Sequence, residues 1–202
     1  MSENMLERFS AAFEVTAGPP KSLAAVAAGT GAHGIRAQLG GCTFEHGLYR
    51  IHTDVSAAAA GELVDAAFPE FTGRFESFGF DWLGRQFAVD RQRGRSADPE
   101  VMMIEPGTGE ALEIPVPVSR FHDEELVDYP EAALARGFHS EWVAACGPSL
   151  RFDQCVGYRV PLFLGGADEL DNLEVSDLEV YWDLMGQLRL KVIGSSAEGI
   201  AE

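Results

Sequence analysis

The chain has 202 residues, a length that fits one large domain or two small ones, and 46% of them are hydrophobic, as in ordinary globular proteins. Its 32 acidic residues against 15 basic ones give a formal net charge of −17. Such a surface repels nucleic-acid phosphates and anionic lipid headgroups, so we expect no direct binding to nucleic acid or membranes. Negative charge favours solubility, and it also steers a basic protein partner into contact.

The cysteines and the N-terminus bear on the cellular compartment. Cys42, Cys146 and Cys155 are odd in number and lack paired spacing, which argues against a disulfide framework and favours a reducing environment. The first residues lack the basic region and apolar run of a signal peptide. Nothing approaches the roughly 18 consecutive apolar residues of a membrane-spanning helix. These features predict a cytoplasmic protein.

The N-terminal third reads as helices separated by a glycine-rich segment. Apolar residues at helical spacing predict a helix over residues 2–15, which Gly18-Pro-Pro20 ends. From Leu23 to Gly41, alanine and glycine predict short helical turns and loops. A strand is predicted over 47–52, and a helix with Ser56 as its cap is predicted over 56–68.

The middle of the chain changes to the two-residue period of strands. Strands are predicted at 75–80 and 85–89, followed by a polar loop over 91–99. Two apolar runs, 101–105 and 111–115, flank Pro106-Gly-Thr-Gly109. This pattern is typical of an antiparallel β-hairpin.

The C-terminal part is predicted to be largely helical. A long helix is expected from about Asp123 to Cys146, with Pro130 in the first turn of its main part, and another is expected through residues 180–188 with Ser176 as its cap. Together the elements predict a single α+β domain with a mixed or antiparallel central sheet flanked by helices. Residues 1–40 would be a helical and loop extension packed on a main domain of 41–195, and 196–202 a frayed tail.

The sequence carries no motif that supports catalysis or a cofactor. Gly29-x-Gly31-x-x-Gly34 spells a dinucleotide fingerprint but lacks the strand before it and, with Gly40-Gly41 so close, the room for a helix after it. Histidines do not occur at zinc-ligand spacing, and Asp168 to Asn172 lack the spacing of a calcium loop. We therefore expect no cofactor, no metal and no enzymatic activity.

The distribution of charge suggests where a partner binds. Residues 165–188 contain seven acids and no Lys or Arg, and aromatic residues are interleaved through the C-terminal half. Charged rims around aromatic anchors are typical of protein interfaces. The alternative is that the aromatic residues are core and the acids only solubilise the surface. The partner-binding residues predicted from this pattern are Asp168, Glu169, Asp171, Asp177, Glu179 and Asp183.

Four strings resemble a known bacterial family. They are Phe80-Asp-Trp-Leu-Gly-Arg-Gln-Phe-Ala-Val-Asp90, Ile104-Glu-Pro-Gly-Thr-Gly-Glu-Ala-Leu-Glu-Ile-Pro115, Val156-Gly-Tyr-Arg-Val-Pro-Leu-Phe-Leu-Gly-Gly166, and Asn172-Leu-Glu-Val with Glu179-Val-Tyr-Trp182. They resemble the C-terminal domain of type VI secretion immunity proteins and, more loosely, the SUKH superfamily of polymorphic-toxin immunity proteins. The resemblance covers most of the chain after about residue 40.

The resemblance implies an α+β protein without catalytic residues that binds a cognate toxin tightly, often a nuclease. It also implies that Trp82, Gly84 and Glu105-Pro-Gly107 define the fold and do not contact the toxin. An immunity-type protein that neutralises a basic toxin agrees with the net charge of −17. The alternatives are a small enzyme or ligand-binding protein with a carboxylate-lined pocket, and a structural or defence-system component.

Overall fold

The structure is a computed structural model that describes residues 6–19, 31–147 and 149–198. Its strands are β1 (Val15–Ala17), β2 (Thr43–Phe44), β3 (Tyr49–Ile51), β4 (Phe75–Asp81), β5 (Gln86–Arg95), β6 (Asp98–Glu105), β7 (Glu110–Pro117), β8 (Gln154–Tyr158) and β9 (Leu173–Asp177). Its α-helices are α1 (Glu7–Ala12), α2 (Gly31–Leu39), α3 (Asp54–Ala67), α4 (Val118–Arg120), α5 (Leu126–Asp128), α6 (Pro130–Leu134), α7 (Arg136–Cys146) and α8 (Leu178–Glu198).

Seven strands form one antiparallel sheet in the order of the chain, from β1 to β7. The predicted α+β class is therefore confirmed, and the sheet is antiparallel. The predicted hairpin is confirmed as β6 and β7, with Val101 opposite Ile114 and Glu105 opposite Glu110. Because each of these strands follows the previous one closely, short turns can make every connection from β4 to β7.

The sheet is covered on both faces. Along β6, Val101 and Met103 belong to a large core with helices α1, α2, α6 and α7, whereas Met102 and Ile104 belong to a second core with α3 and α8. Successive side chains of a strand point to opposite faces. Polar residues do not interrupt the apolar run Val-Met-Met-Ile, because helices cover both faces of the sheet at this strand.

Two predictions in the N-terminal third are wrong. The first helix ends at Ala12, and Val15 lies in β1, which pairs with β2. The glycine-rich segment, predicted as short helical turns and loops, contains the longer helix α2, because Ala32, Ile35 and Leu39 recur at helical spacing and bury one face. Residues 20–30, including Gly29 of the glycine fingerprint, lie outside the described residues.

Helix α3 begins two residues earlier than predicted. Its N-cap is Thr53, whose hydroxyl oxygen accepts a hydrogen bond from the Ser56 backbone N–H, while the Ser56 side chain accepts from the Thr53 backbone N–H. This is a reciprocal capping box. Ser56 therefore contributes to the cap without being the N-cap residue itself.

The predicted polar loop over 91–99 is also wrong, because β5 and β6 continue through it to a tight turn between Arg95 and Asp98. Its charges are matched across the strands, as where the Arg93 guanidinium donates to Glu100 at 2.6 Å. Opposite charges on neighbouring strands stabilise a hairpin that few apolar residues support.

The single helix predicted from Asp123 to Cys146 is instead a series of short helices. Phe121–Glu125 form a π-helical turn, and Pro130 opens α6 at its first turn, as predicted. Ala135 has φ 49° and ψ 49°, so the chain turns sharply between α6 and α7. A left-handed residue interrupts a helix and redirects it.

The last part of the chain forms a second, two-stranded antiparallel sheet of β8 and β9, followed by α8. Helix α8 packs against α3 at Gly186, where an added Cβ would lie 2.8 Å from the Cβ of Ala67. The helix continues to Glu198, beyond the predicted start of a frayed tail, and residues 199–202 lie outside the described residues. None of the helices seen in the described ranges combines the length and apolar character needed to cross a bilayer.

Candidate partner-binding surface

All six predicted partner-binding acids are exposed, but they form two groups. Asp168, Glu169 and Asp171 lie in the connection between β8 and β9, whereas Asp177 ends β9 and Glu179 and Asp183 lie in the first turns of α8. The connection leaves from the end of the small sheet where Tyr158 pairs with Leu173, and α8 begins at the other end, where Gln154 pairs with Asp177. Four residues of strand span roughly 13 Å, so Asp177 lies apart from the connection that carries Asp168, Glu169 and Asp171.

The connection is held in one shape by Asn172. Its amide nitrogen donates to the carbonyl oxygens of Val160 at 2.9 Å and Ala167 at 2.8 Å, and its amide oxygen accepts from the Val160 N–H at 3.0 Å. The Tyr158 hydroxyl donates to Asp168 at 2.6 Å. We call residues 165–172 the acidic loop, and these bonds keep its carboxylates on a fixed backbone.

Asp177 caps α8. Its carboxylate accepts hydrogen bonds from the backbone N–H groups of Glu179 at 3.1 Å and Val180 at 3.3 Å. The predicted cap, Ser176, lies instead in β9 opposite Cys155. A capping carboxylate both satisfies free N–H groups and interacts favourably with the helix dipole.

The two acidic groups lack cations of their own. In the described parts of the chain, none of the six carboxylates forms an ion pair with a Lys, Arg or His side chain. Most arginines are already engaged elsewhere, for example Arg189 with Glu70 and Arg159 with Glu174. The negative field of the acidic loop and of the α8 start is therefore uncompensated by the fold.

The predicted aromatic anchors are mostly core. Tyr158, Tyr181, Trp142 and Trp182 are each at most 4% exposed, and Trp182 donates its indole N–H to the Gly84 carbonyl at 2.7 Å. Tyr129 is 61% exposed but lies on the segment before α6. The exposed apolar side chains beside the acids are aliphatic: Val175, Val180 and Leu184.

Trp82, Gly84 and Gly107 occupy positions at which the fold itself requires these residue types. Trp82 is fully buried and donates to the Leu134 carbonyl at 2.9 Å. Gly84 has φ 77°, and an added Cβ at Gly107 would lie 2.7 Å from the Tyr158 ring. Burial removes these residues from any surface that a partner touches.

A cavity of about 420 Å³ lies between α3 and the start of α8, beside one of the two acidic groups. Its α3 side consists of Ser56, Ala59, Ala60 and Leu63, which share one helical face. The cavity is lined by apolar side chains and by carboxylates from α3, from the segment before β8 and from the junction of β9 with α8. No local sequence pattern indicates this cavity, because α3 is distant in the chain from the other two segments. The acids are Glu62, Asp153, Asp177 and Glu179.

The floor of this α3–α8 cavity is aromatic. Phe152 packs edge-on against Phe80, and the His52 ring stacks on Phe80 with centroids 4.5 Å apart. The two His52 ring nitrogens contact the Ser56 hydroxyl at 3.0 Å and the Gln86 amide oxygen at 2.8 Å. Burial lowers the pKa of His52 to about 4, so its imidazole is neutral near pH 7.

The other groups with reactive potential are buried structural residues. Burial raises the pKa of the Cys155 thiol to about 12, which removes the thiolate needed for nucleophilic attack. His122 is buried with a pKa of about 3, and its Nε2 contacts the Tyr49 hydroxyl at 3.0 Å. Among the described residues, no three His, Cys, Asp or Glu side chains come together in a group that could hold a metal ion.

Comparison with protein families identifies a match in the C-terminal part of the chain. Residues 141–189 match the family described as T6SS immunity protein Tdi1, C-terminal. The resemblance to type VI secretion immunity proteins inferred from the sequence is confirmed over this segment, and the looser likeness to SUKH proteins stays a prediction. The matched residues include β8, the acidic loop, β9 and the start of α8, which carry all six predicted acids.

Comparison with solved structures identifies the overall fold. The chain is similar to the crystal structure of Atu4351 from Agrobacterium tumefaciens, with a TM-score of 0.59 and 16% sequence identity over 93% of this chain and 89% of that chain. At this identity the similarity establishes a shared fold. A comparison with curated proteins finds no match.

Proposed function

We propose, from the premise that residues 141–189 carry the C-terminal domain of the type VI secretion immunity family, that this protein binds a cognate toxin and neutralises it by association alone. The single observation that carries the proposal is the family match. The matched segment is also where the exposed acids lack cations and exposed aliphatic side chains accompany them.

We further propose that the toxin presents a basic surface, as a nuclease cleft does, and that the complex forms in the cytoplasm. The acidic loop and the start of α8 supply the negative field that steers such a surface during encounter. Val175, Val180 and Leu184, which are 43%, 60% and 50% exposed, supply apolar area that the complex can bury. Steering governs the association rate, and apolar contact governs the dissociation rate.

The experiment compares binding of the full-length chain to the basic C-terminal domain of the secreted protein that we expect to be encoded beside its gene. Association rates are measured for wild type and for a variant with Asp168→Lys, Asp171→Lys and Asp183→Lys. We expect the variant to associate about tenfold more slowly at low salt, and the difference to shrink as salt rises.

The matched control reverses three exposed acids on other elements, with Glu7→Lys, Glu110→Lys and Glu141→Lys. This control changes the net charge by the same amount, so it distinguishes the effect of the local negative field on the association rate from the effect of total charge. Association rates of wild type equal to those of the Asp168→Lys, Asp171→Lys and Asp183→Lys variant would remove Asp168, Asp171 and Asp183 from the mechanism. Absence of any complex between wild type and the toxin would contradict the proposed function itself.

A further inference from the structure

The α3–α8 cavity has the features of a receptor for one side chain. Its volume of about 420 Å³ falls within the range, roughly 300–1,000 Å³, of pockets that enclose a ligand group. Its walls are Ala59, Ala60, Leu63 and Leu178, and its floor is formed by Phe80 and Phe152. Apolar walls of this kind accept the aliphatic stem of a long side chain.

The charges at the cavity select a cation. Glu62 comes from α3, Asp153 precedes β8, and Asp177 and Glu179 come from the junction of β9 with α8, so carboxylates approach from three directions. Asp153 is partly compensated by Arg151 at 3.1 Å and by the buried Arg50, whose guanidinium lies 4.4 Å from the Phe80 centroid. Among the described residues that line the cavity itself there is no Lys or Arg, so its four carboxylates outnumber the nearby cations. The neutral His52 adds no positive charge at pH 7.

Geometry favours arginine over lysine. A planar guanidinium offers five N–H donors in a fixed fork, which can reach carboxylates on more than one wall, and it stacks on aromatic rings. The half-buried Phe152 ring lines the cavity. The protein itself places guanidinium groups on phenylalanine rings, as where Arg189 lies 3.9 Å from the Phe68 centroid.

We infer that this cavity binds an arginine side chain of the protein partner, as the anchor of the complex. The inference rests on the proposed function and specifies one contact within it. Three of the four lining carboxylates, those of Asp153, Asp177 and Glu179, belong to the family-matched segment, so the anchor site and the matched surface are continuous. A side chain anchored in a pocket supplies a large share of binding energy, whereas each exposed rim charge supplies little.

The chain offers a matched pair of variants to test this. Ala58 and Ala59 are adjacent and exposed on α3, but only Ala59 lines the cavity. Ala59→Phe fills the cavity from its mouth, and Ala58→Phe places the same side chain outside it. Because both sites are exposed on one helix, the two substitutions carry the same helix-propensity penalty and both variants should fold.

The first measurement is a titration of the isotope-labelled full-length protein with N-acetyl-L-arginine methylamide, followed by amide NMR shifts. We expect saturable shifts at Ala60, Glu62 and Glu179, with a Kd on the order of millimolar. The neutral citrulline analogue should produce none. Ala59→Phe should abolish the shifts, and Ala58→Phe should keep them. Shifts absent from the lining residues, or equal for citrulline, would overturn the inference.

The second measurement is the affinity of the same variants for the toxin domain. We expect Ala59→Phe to weaken the Kd at least tenfold and Ala58→Phe to change it by less than twofold. If wild type binds the toxin and both variants bind equally well, the anchor is refuted while the proposed function stands. Equal toxin affinities refute the anchor even if N-acetyl-L-arginine methylamide binds the cavity, since the cavity would then bind a small ligand and not the partner. If wild type binds no toxin, both proposals fail.

Discussion

Replacing Arg85 by Met would leave a buried carboxylate without its cation. Asp81 is fully buried, and its Oδ2 accepts from the Arg85 Nε at 2.6 Å. Its Oδ1 accepts from the backbone N–H groups of Leu83 at 3.0 Å and Arg85 at 2.9 Å. Burial raises the pKa of the Asp81 carboxyl, and the Arg85 guanidinium opposes this shift by stabilising the charged form.

This ion pair anchors the turn that holds α8, the helix on which some of the proposed partner-binding acids lie. The turn from Asp81 to Arg85 presents the Gly84 carbonyl, which accepts the indole N–H of Trp182 on α8. Removing one member of a buried pair costs about 3–5 kcal/mol. In a chain of this size each kcal/mol lowers Tm by about 2–4 °C, so Arg85→Met should lower Tm by about 6–20 °C.

The assay is urea unfolding followed by tryptophan fluorescence. The control is Arg120→Met, which removes an exposed pair with Glu124 that solvent screens, so it should cost far less than Arg85→Met. Adding Asp81→Asn to Arg85→Met removes the unpaired charge and should recover more than about 1 kcal/mol. A loss from Arg85→Met no larger than that of the control would refute this reasoning.

Three further predictions concern single residues. Burial lowers the pKa of His122 from an ordinary 6.5 to about 3, so the unfolded chain binds a proton below pH 6.5 that the folded chain does not. The free energy of unfolding should therefore fall as the pH decreases from about 6.5 toward 3. In urea titrations at several pH values, His122→Gln should flatten this slope by up to about 1.4 kcal/mol per pH unit. Asp177→Ala should cost about 1 kcal/mol of unfolding free energy through loss of the α8 cap, and Asp183→Ala should cost almost nothing. Ala135→Gly should raise the free energy of unfolding by about 1 kcal/mol because φ at this position is 49°, whereas Ala133→Gly within α6 should lower the free energy of unfolding.

Local patterns predicted the β6–β7 hairpin because its signals are short-range, whereas the start of β1 was predicted as helix and the ends of β5 and β6 that meet at 91–99 as a loop. The turn Pro106-Gly-Thr-Gly109 and the apolar run 101–104 led to the correct hairpin. The full length of α2 was not predicted because glycine lowers helix propensity, whereas the stability of this helix comes from burying Ile35 and Leu39 against the sheet. Tertiary packing there outweighs local preference.

The site was predictable only in part. Acidity of residues 165–188 is visible in the sequence, and all six acids are exposed. Their division into two groups depends on the pairing of β8 with β9 across the acidic loop, which no local pattern encodes. Tyr181 and Trp182 lie among these acids in the sequence, but both are buried, because α8 turns them toward the core, and no local pattern indicates which face of α8 is buried.

The most direct test of the central claim is growth of cells that express the toxin domain in the cytoplasm, with and without this protein. We predict that the wild-type chain restores growth, and that restoration follows complex formation, so the Asp168, Asp171 and Asp183 triple reversal needs higher expression to protect. A wild-type chain that is folded and abundant, yet leaves the cells as sensitive as the empty control, would contradict neutralisation by binding.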